Sequence, residues 1–279
     1  MPELPEVEVI SQSLKFRLSG LTIASFRIVY PPLLRNTDII QLGKIRGAKV
    51  LNVRRRGKYV LIDTDGGISL LFHLKMTGRF VFSLPHQSWD KHTHFGLSFL
   101  ENEHELRFRD VRKFGVVSCV EFHGRSDPPE LAELGPEPLD IEQDEFVRLF
   151  NGRNARTKSL LLNQKFLAGI GNIYADEMLF RAGIHPMLSV SRLSCDDLRC
   201  LWTSMRQVLQ EALECKGSSI RDFLDTDGRE GDFQRFHRVY GREGLPCPTC
   251  RQLIKRVRIT GRSSHYCPSC QKLPSATRE

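Results

Sequence analysis

No stretch of the sequence approaches the roughly 18 consecutive apolar residues that a membrane-crossing helix needs. A basic, apolar export signal is also missing, because the start carries acids at Glu3, Glu6 and Glu8. These absences argue against a membrane partner and predict a cytoplasmic protein, held near the nucleoid if the host is a bacterium. Internal repeats and low-complexity tracts are lacking too, which excludes a solenoid or a disordered scaffold. Acid is scarce at one end. From Phe233 to Glu279 only Glu243 and Glu279 oppose ten basic residues, a surplus that matches the net charge of +8 on the whole chain. Such an end suits a polyanion, and nucleic acid is the commonest one, although a merely solvated charged face has the same composition.

At 279 residues the chain is long enough for two cores. Val7, Ile10, Leu14 and Leu18 recur at helical spacing behind Pro5, and Gly20 follows, so an amphipathic N-terminal helix is expected there. From Leu21 to about Phe122 short β-rich runs take over, among them KYVLIDT and ISLLFHL with the hairpin signal TDGG between them. They predict an antiparallel sandwich or barrel. GRSDPPELAELGPEPLD then breaks the periodicity with four prolines and two glycines and reads as a connector. Beyond it, EQDEFVRLF, KSLLLNQKFL, IYADEMLFRAG and CDDLRCLWTSMRQVLQEALE carry helical spacing.

Near the C-terminus CPTC and CPSC place Cys247, Cys250, Cys267 and Cys270 in two C-x-x-C knuckles with sixteen residues between them. This is the ligand pattern of a closed, tetrahedral zinc site, so one structural Zn2+ is expected; a disulfide pair or a redox motif is the weaker alternative. Four thiolates leave no position for water, which makes the ion a scaffold. In RVRITGRSS, on the hairpin it would hold, Arg256, Arg258 and Arg262 are evenly spaced and are expected on one strand face. Cys119, Cys195, Cys200 and Cys215 read as buried thiols, and Arg54, Arg55 and Arg56 as surface charge. In LAGIGNIYADE, Gly169 and Gly171 precede a helix that Asn172 enters, which fits either phosphate approach or a plain helix turn.

Seven motifs in order, PELPEVE, FHLKMTGRF, DVRKFG, QKFLAGIGNIYADEMLFRAGIHP, SSIRDFLDTDG, VYGREGLPC and the paired knuckles, resemble those of the formamidopyrimidine-DNA glycosylase family over nearly the whole chain. The resemblance implies an α+β fold: an N-terminal β-sandwich with flanking helices (1–123), a linker (124–139), a helix-two-turn-helix region with a lesion-recognition loop (140–232) and a zinc-finger β-hairpin (233–279). It also implies a monomeric bifunctional glycosylase and abasic-site lyase. Its partner is double-stranded DNA carrying oxidised purines, namely 8-oxoguanine and formamidopyrimidines, or abasic sites.

By the same resemblance, Pro2 is the nucleophile once Met1 is removed, and Glu3 is the general acid/base. Glu6 orients the N-terminal segment, and Lys58 is a site cation. Met76, Arg112 and Phe114 match the residues that fill the gap left by an everted base. Asn172 and Arg262 match a phosphate clamp, Arg262 with a catalytic part. Ser218, Ser219, Ile220 and Arg221 fall in the loop that closes on the lesion. Val111 departs from the proline of many relatives, while Arg112 and Phe114 keep their spacing. The alternatives are an endonuclease VIII-like activity on oxidised pyrimidines, against which PELPEVE and the Met76, Arg112, Phe114 set speak, and a catalytically silent lesion binder.

Overall fold

A computed structural model describes residues 1–121, 127–220 and 223–273. The chain packs as two units, Met1–Glu133 with Cys215–Asp232, and Leu134–Glu214 with Phe233–Glu279.

The first unit opens with helix α1 (Leu4–Leu18), which begins one residue before Pro5, close to the expected start, and is capped reciprocally: the Glu3 side chain accepts the N–H of Glu6, and the Glu6 carboxylate accepts the N–H of Glu3 at 2.8 Å. Its apolar stripe of Val7, Ile10, Leu14 and Leu18 faces the core. Strand β1 (Ile23–Ile28) and the short helix α2 (Ile39–Gly43) follow, then seven strands: β2 (Val50–Arg56), β3 (Tyr59–Thr64), β4 (Ile68–His73), β5 (Gly78–Ser83), β6 (Thr93–Phe99), β7 (Glu105–Asp110) and β8 (Val116–Glu121). They form two antiparallel four-stranded sheets, ordered β1-β6-β7-β5 and β2-β3-β4-β8. TDGG does close the β3–β4 hairpin.

Between the sheets, Phe72 meets Phe80 at 5.0 Å and Phe95 at 5.7 Å between ring centroids, and Phe80 meets Phe108 at 5.5 Å. Such tilted aromatic contacts bury a large apolar area in few residues. Residues 215–232, grouped by sequence with the helical region, pack instead in this first unit. Ser218 bridges Asp232, and the Asp232 N–H reaches the Cys215 carbonyl at 2.8 Å, so the segment is a closed loop whose base lies on α1.

The second unit holds α3 (Gln143–Leu149), α4 (Thr157–Leu161), α5 (Asn172–Arg181), α6 (Cys195–Glu214) and a hairpin of β9 (Lys255–Ile259) and β10 (Arg262–Tyr266). KSLLLNQKFL is helical only to Leu161. The Gln164 side chain then ties the chain into turns, donating to the Ile170 carbonyl at 2.8 Å and accepting the Gly169 N–H at 3.0 Å. The connector expected at 124–139 is divided: residues 124–126 lie outside the described set, while Gly135 bonds the Gln164 carbonyl at 2.9 Å and packs in the second unit.

Three expectations need correction. The four non-knuckle cysteines are not buried: Cys119 and Cys215 are half-buried, while Cys195 and Cys200 are exposed, because the inward face of α6 is Leu198, Leu201, Met205, Val208, Leu209 and Ala212. Arg54, Arg55 and Arg56 are not free surface charge. Arg54 pairs with Asp63 at 2.8 Å, Arg55 with Glu8 at 2.7 Å and Arg56 with Asp127 at 2.7 Å. Nor do the three hairpin arginines share a face. Thr260 and Gly261 both take positive φ in a two-residue turn that pairs Arg262 with Ile259, whereas Arg256 and Arg258 pair with His265 and Ser263. Opposed residues project to the same side, so Arg262 lies on the face opposite to Arg256 and Arg258.

Candidate functional site

In the first unit Pro2, Glu3 and Glu6 are all buried, and Met1 reaches the surface. The Glu6 carboxylate has two tasks here. One oxygen caps α1 through the Glu3 N–H, and the other accepts the N–H of Ser218 at 2.8 Å. Gly217 makes the second contact possible: at φ +82° it takes a conformation that side chains avoid, and a Cβ there would lie 2.8 Å from the Glu6 oxygen. The loop that begins at Ser218 is thereby fastened to the segment that carries Pro2. Further along it, Ser219 donates to the Phe223 carbonyl at 2.8 Å and accepts the Gly231 N–H at 2.9 Å, which holds the loop's own shape. Ile220 is exposed, and Arg221 lies outside the described residues.

Lys58 occupies the β2–β3 turn and is only 5% exposed. Arg55 anchors this turn to α1, reaching Glu8 at 2.7 Å and the Gly57 carbonyl at 3.1 Å. Beside it, His73 stacks edge-on against Tyr59 at 4.5 Å and accepts the Lys75 N–H on Nδ1 at 3.0 Å. Burial, with the charges of Lys75 and Lys58 adding to it, pulls this imidazole down to about 3, so it stays neutral at physiological pH. Sequence reasoning missed His73; it lies inside FHLKMTGRF, but nothing in its spacing separates it from a core histidine.

Met76, Arg112 and Phe114 stand together at the surface of the same unit. The Arg112 Nη1 is 2.9 Å from the Met76 sulfur, and its guanidinium carbon is 4.8 Å from the Phe114 ring centroid. Met76 is 40% and Phe114 53% exposed, unusual for large apolar side chains flanking strand ends. Neither is a core residue.

In the second unit the Asn172 side-chain amide donates to the Ser263 carbonyl at 2.8 Å, while its own Oδ1 is buried with no partner among the described residues. Arg262 is exposed beside the hairpin turn. Sequence reasoning missed what seats this hairpin. Lys158, fully buried, donates to Asp176 at 2.5 Å, to the Ser264 hydroxyl at 2.7 Å and to the Ser263 carbonyl at 3.3 Å. Asp176 accepts the His265 N–H at 2.9 Å on its other oxygen. Nearby, Glu177 accepts the N–H groups of Arg238, Val239 and Tyr240 at 2.8 to 3.1 Å; burial still pushes its carboxyl up. In sequence both Lys158 and Asp176 look like ordinary exposed helix residues.

The sulfurs of Cys247, Cys250, Cys267 and Cys270 all lie within 4.8 Å of one another. A zinc ion about 2.3 Å from each of four thiolates requires sulfurs about 3.8 Å apart, so the donor set and its spacing fit one structural ion. The Cys270 N–H also points at the Cys267 sulfur at 3.4 Å, as is usual where a knuckle wraps a thiolate.

Residues 1–117 match the formamidopyrimidine-DNA glycosylase N-terminal domain, residues 134–224 the H2TH domain of the same enzymes, and residues 244–273 a zinc finger found in FPG and IleRS. A formamidopyrimidine-DNA glycosylase of Solibacter usitatus is 45% identical over 261 residues, 93% of this chain and 95% of that one. The chain belongs to the formamidopyrimidine-DNA glycosylase family. Solved members share the fold throughout. A variant of the Lactococcus lactis glycosylase, bound to DNA containing Fapy-dG, superposes with a TM-score of 0.88 at 31% identity, over 98% of this chain and all (100%) of that one. A MutM complex with DNA containing carbocyclic 8-oxo-G gives 0.87 at 32% identity, over 98% of this chain and 100% of that one. Within this formamidopyrimidine-DNA glycosylase fold, the geometry gathers Pro2, Glu3, Glu6 and Ser218 at one place and Met76, Arg112 and Phe114 at another in the first unit. Asn172 and the hairpin that bears Arg262 meet in the second. No helix among the described residues is long and apolar enough to cross a membrane.

Proposed function

We propose that this chain is a bifunctional DNA glycosylase and abasic-site lyase that removes oxidised purines, 8-oxoguanine and formamidopyrimidines, from duplex DNA in the cytoplasm. The observation that carries it is the buried N-terminal cluster, in which Pro2 sits beside Glu3 while Glu6 joins the start of the chain to the loop at Ser218.

Removal of Met1 turns the Pro2 amide into a secondary amine. With an α-amino pKa near 8, about one molecule in ten is neutral at pH 7, enough for a nucleophile. The amine attacks C1′ and gives up its N–H proton, the C1′–N bond to the damaged base breaks, and the base leaves with the electron pair and takes up a proton. Glu3 protonates the sugar ring oxygen as the ring opens, and the nitrogen lone pair completes the iminium. That electron sink acidifies C2′, so loss of a proton expels the 3′ phosphate and a second elimination expels the 5′ phosphate. Lys58 and Arg262 are the cations that steady these phosphates, with Asn172. Met76, Arg112 and Phe114 fill the gap left in the duplex, and Ser218, Ser219, Ile220 and Arg221 line the loop that covers the everted base. The chemistry needs no metal; the four thiolates of the zinc site hold the hairpin.

Intact mass measurement before and after borohydride treatment with an 8-oxoguanine duplex tests this. The expected result is a chain lacking Met1 that gains one covalent DNA adduct. An active preparation that retains Met1 removes Pro2 from the reaction.

A further inference from the structure

We infer that Asp110 is the positioning residue that holds Met76, Arg112 and Phe114 as one rigid probe, an inference that rests on the gap-filling role proposed above. Asp110 ends β7 and is fully buried, and among the described residues its carboxylate accepts hydrogen bonds from neutral donors. One carboxylate oxygen accepts the Thr77 hydroxyl and the Arg112 N–H, the latter at 3.1 Å; the other accepts the Gly115 N–H at 2.7 Å. Its backbone is locked as well. The N–H reaches the His92 carbonyl at 2.9 Å, the carbonyl meets His94 Nε2 at 2.8 Å, and Gly78 pairs with it across the sheet.

The carboxylate therefore grips two loops at once. On one it takes the residue next to Met76, and on the other it takes the N–H groups on either side of Lys113. Those loops need such a grip. Lys75 at φ 52° and Lys113 at φ 58° occupy the left-handed region that residues with a side chain seldom adopt, and such conformations persist only where the surroundings over-determine them. The turn at Lys113 puts Arg112 and Phe114 on the same side, guanidinium over ring, and brings Arg112 to the Met76 sulfur. Thr77 closes the set, since its hydroxyl also accepts the Arg112 N–H at 3.2 Å. A carboxylate, with acceptor sites on both oxygens, can serve all three donors, whereas an amide cannot.

The test is a mutant cycle on single-turnover excision of 8-oxoguanine paired with cytosine, followed long enough to time slow variants. Asp110→Asn is expected to slow excision about tenfold in the otherwise native chain, and Thr77→Val about threefold. In a chain that also carries Met76→Ala, Arg112→Ala and Phe114→Ala, neither change should slow it further. An equal slowing in both backgrounds would show a general loss of structure and overturn the inference while leaving the gap-filling role intact. Native-rate excision by the triple alanine chain overturns both. If Asp110→Asn fails to fold, the Thr77→Val cycle decides by the same criterion.

Discussion

The Glu6 carboxylate accepts the backbone N–H of Ser218 at 2.8 Å, joining positions 212 residues apart in the chain. With its other oxygen on the Glu3 N–H at 2.8 Å, one buried side chain sets both the start of the polypeptide and the base of the loop. Glu6→Gln keeps a single acceptor oxygen, so one of the two N–H groups then faces an amide N–H. We expect a stability loss of about 1–3 kcal/mol, the usual penalty for a buried unsatisfied group. Denaturant unfolding measures the loss, and amide hydrogen exchange at Ser218 should quicken; unchanged exchange there would separate the loop from Glu6.

Pro2→Gly replaces a secondary amine by a primary one in a backbone of different shape. Base excision should fall sharply while binding to abasic-site DNA is largely kept. Turnover at the native rate in this variant would show that Pro2 is not the nucleophile.

Cys247→Ser removes one of four thiolates and with it the tetrahedral set. The hairpin should unfold and DNA affinity should drop, with less metal bound per chain. Elemental analysis that finds well under one zinc in the native protein would count against the scaffold role. Native affinity itself should weaken steeply with salt, as a phosphate-dominated interface requires.

Lys158→Met leaves the Asp176 carboxylate buried without its cation. Breaking such a pair costs about 3–5 kcal/mol, whereas replacing both members by apolar groups is often close to neutral. The double change Lys158→Met with Asp176→Leu should therefore recover part of the stability in calorimetric melts, the rest staying lost because the His265 N–H and the Ser263 carbonyl are left without these partners. If the single variant melts like the native protein, the pair does not hold the hairpin.

His73 is held at about 3 by burial and by the charges of Lys75 and Lys58, against 6.5 in the unfolded chain. The unfolded state thus binds the extra proton between these values. Stability from this group is complete above pH 6.5 and is lost progressively as pH falls toward 3. His237, lowered to about 4 chiefly by burial, acts in the same direction. The melting temperature of the native protein should fall on acidification from pH 7 to 5, and His73→Gln should flatten that slope; an identical slope in the variant would place the acid sensitivity elsewhere.

Much of the fold was legible because the signals are local. Pro5 with the spacing of Val7, Ile10, Leu14 and Leu18 marked the first helix, TDGG marked a hairpin, and the knuckle spacing marked the metal site. Where local signals misled, a distant partner had intervened. KSLLLNQKFL has helical spacing throughout, yet the Gln164 side chain folds its second half into turns. The even spacing of Arg256, Arg258 and Arg262 ignored the two-residue turn that carries Arg262 to the second strand.

The order of motifs and the chemistry of their side chains were enough, by themselves, to assign the family, the α+β class, the thiolate site and the candidates Pro2, Glu3, Met76, Arg112, Phe114 and Asn172. Only the tertiary structure decided which charges are buried and what each one holds: Lys158 on Asp176, Asp110 under its two loops, Glu6 beneath Ser218. The division follows from the physics. Caps, turns and knuckles depend on backbone geometry over a few residues, whereas the burial and pairing of a charge depend on segments that folding brings together from far apart in the chain.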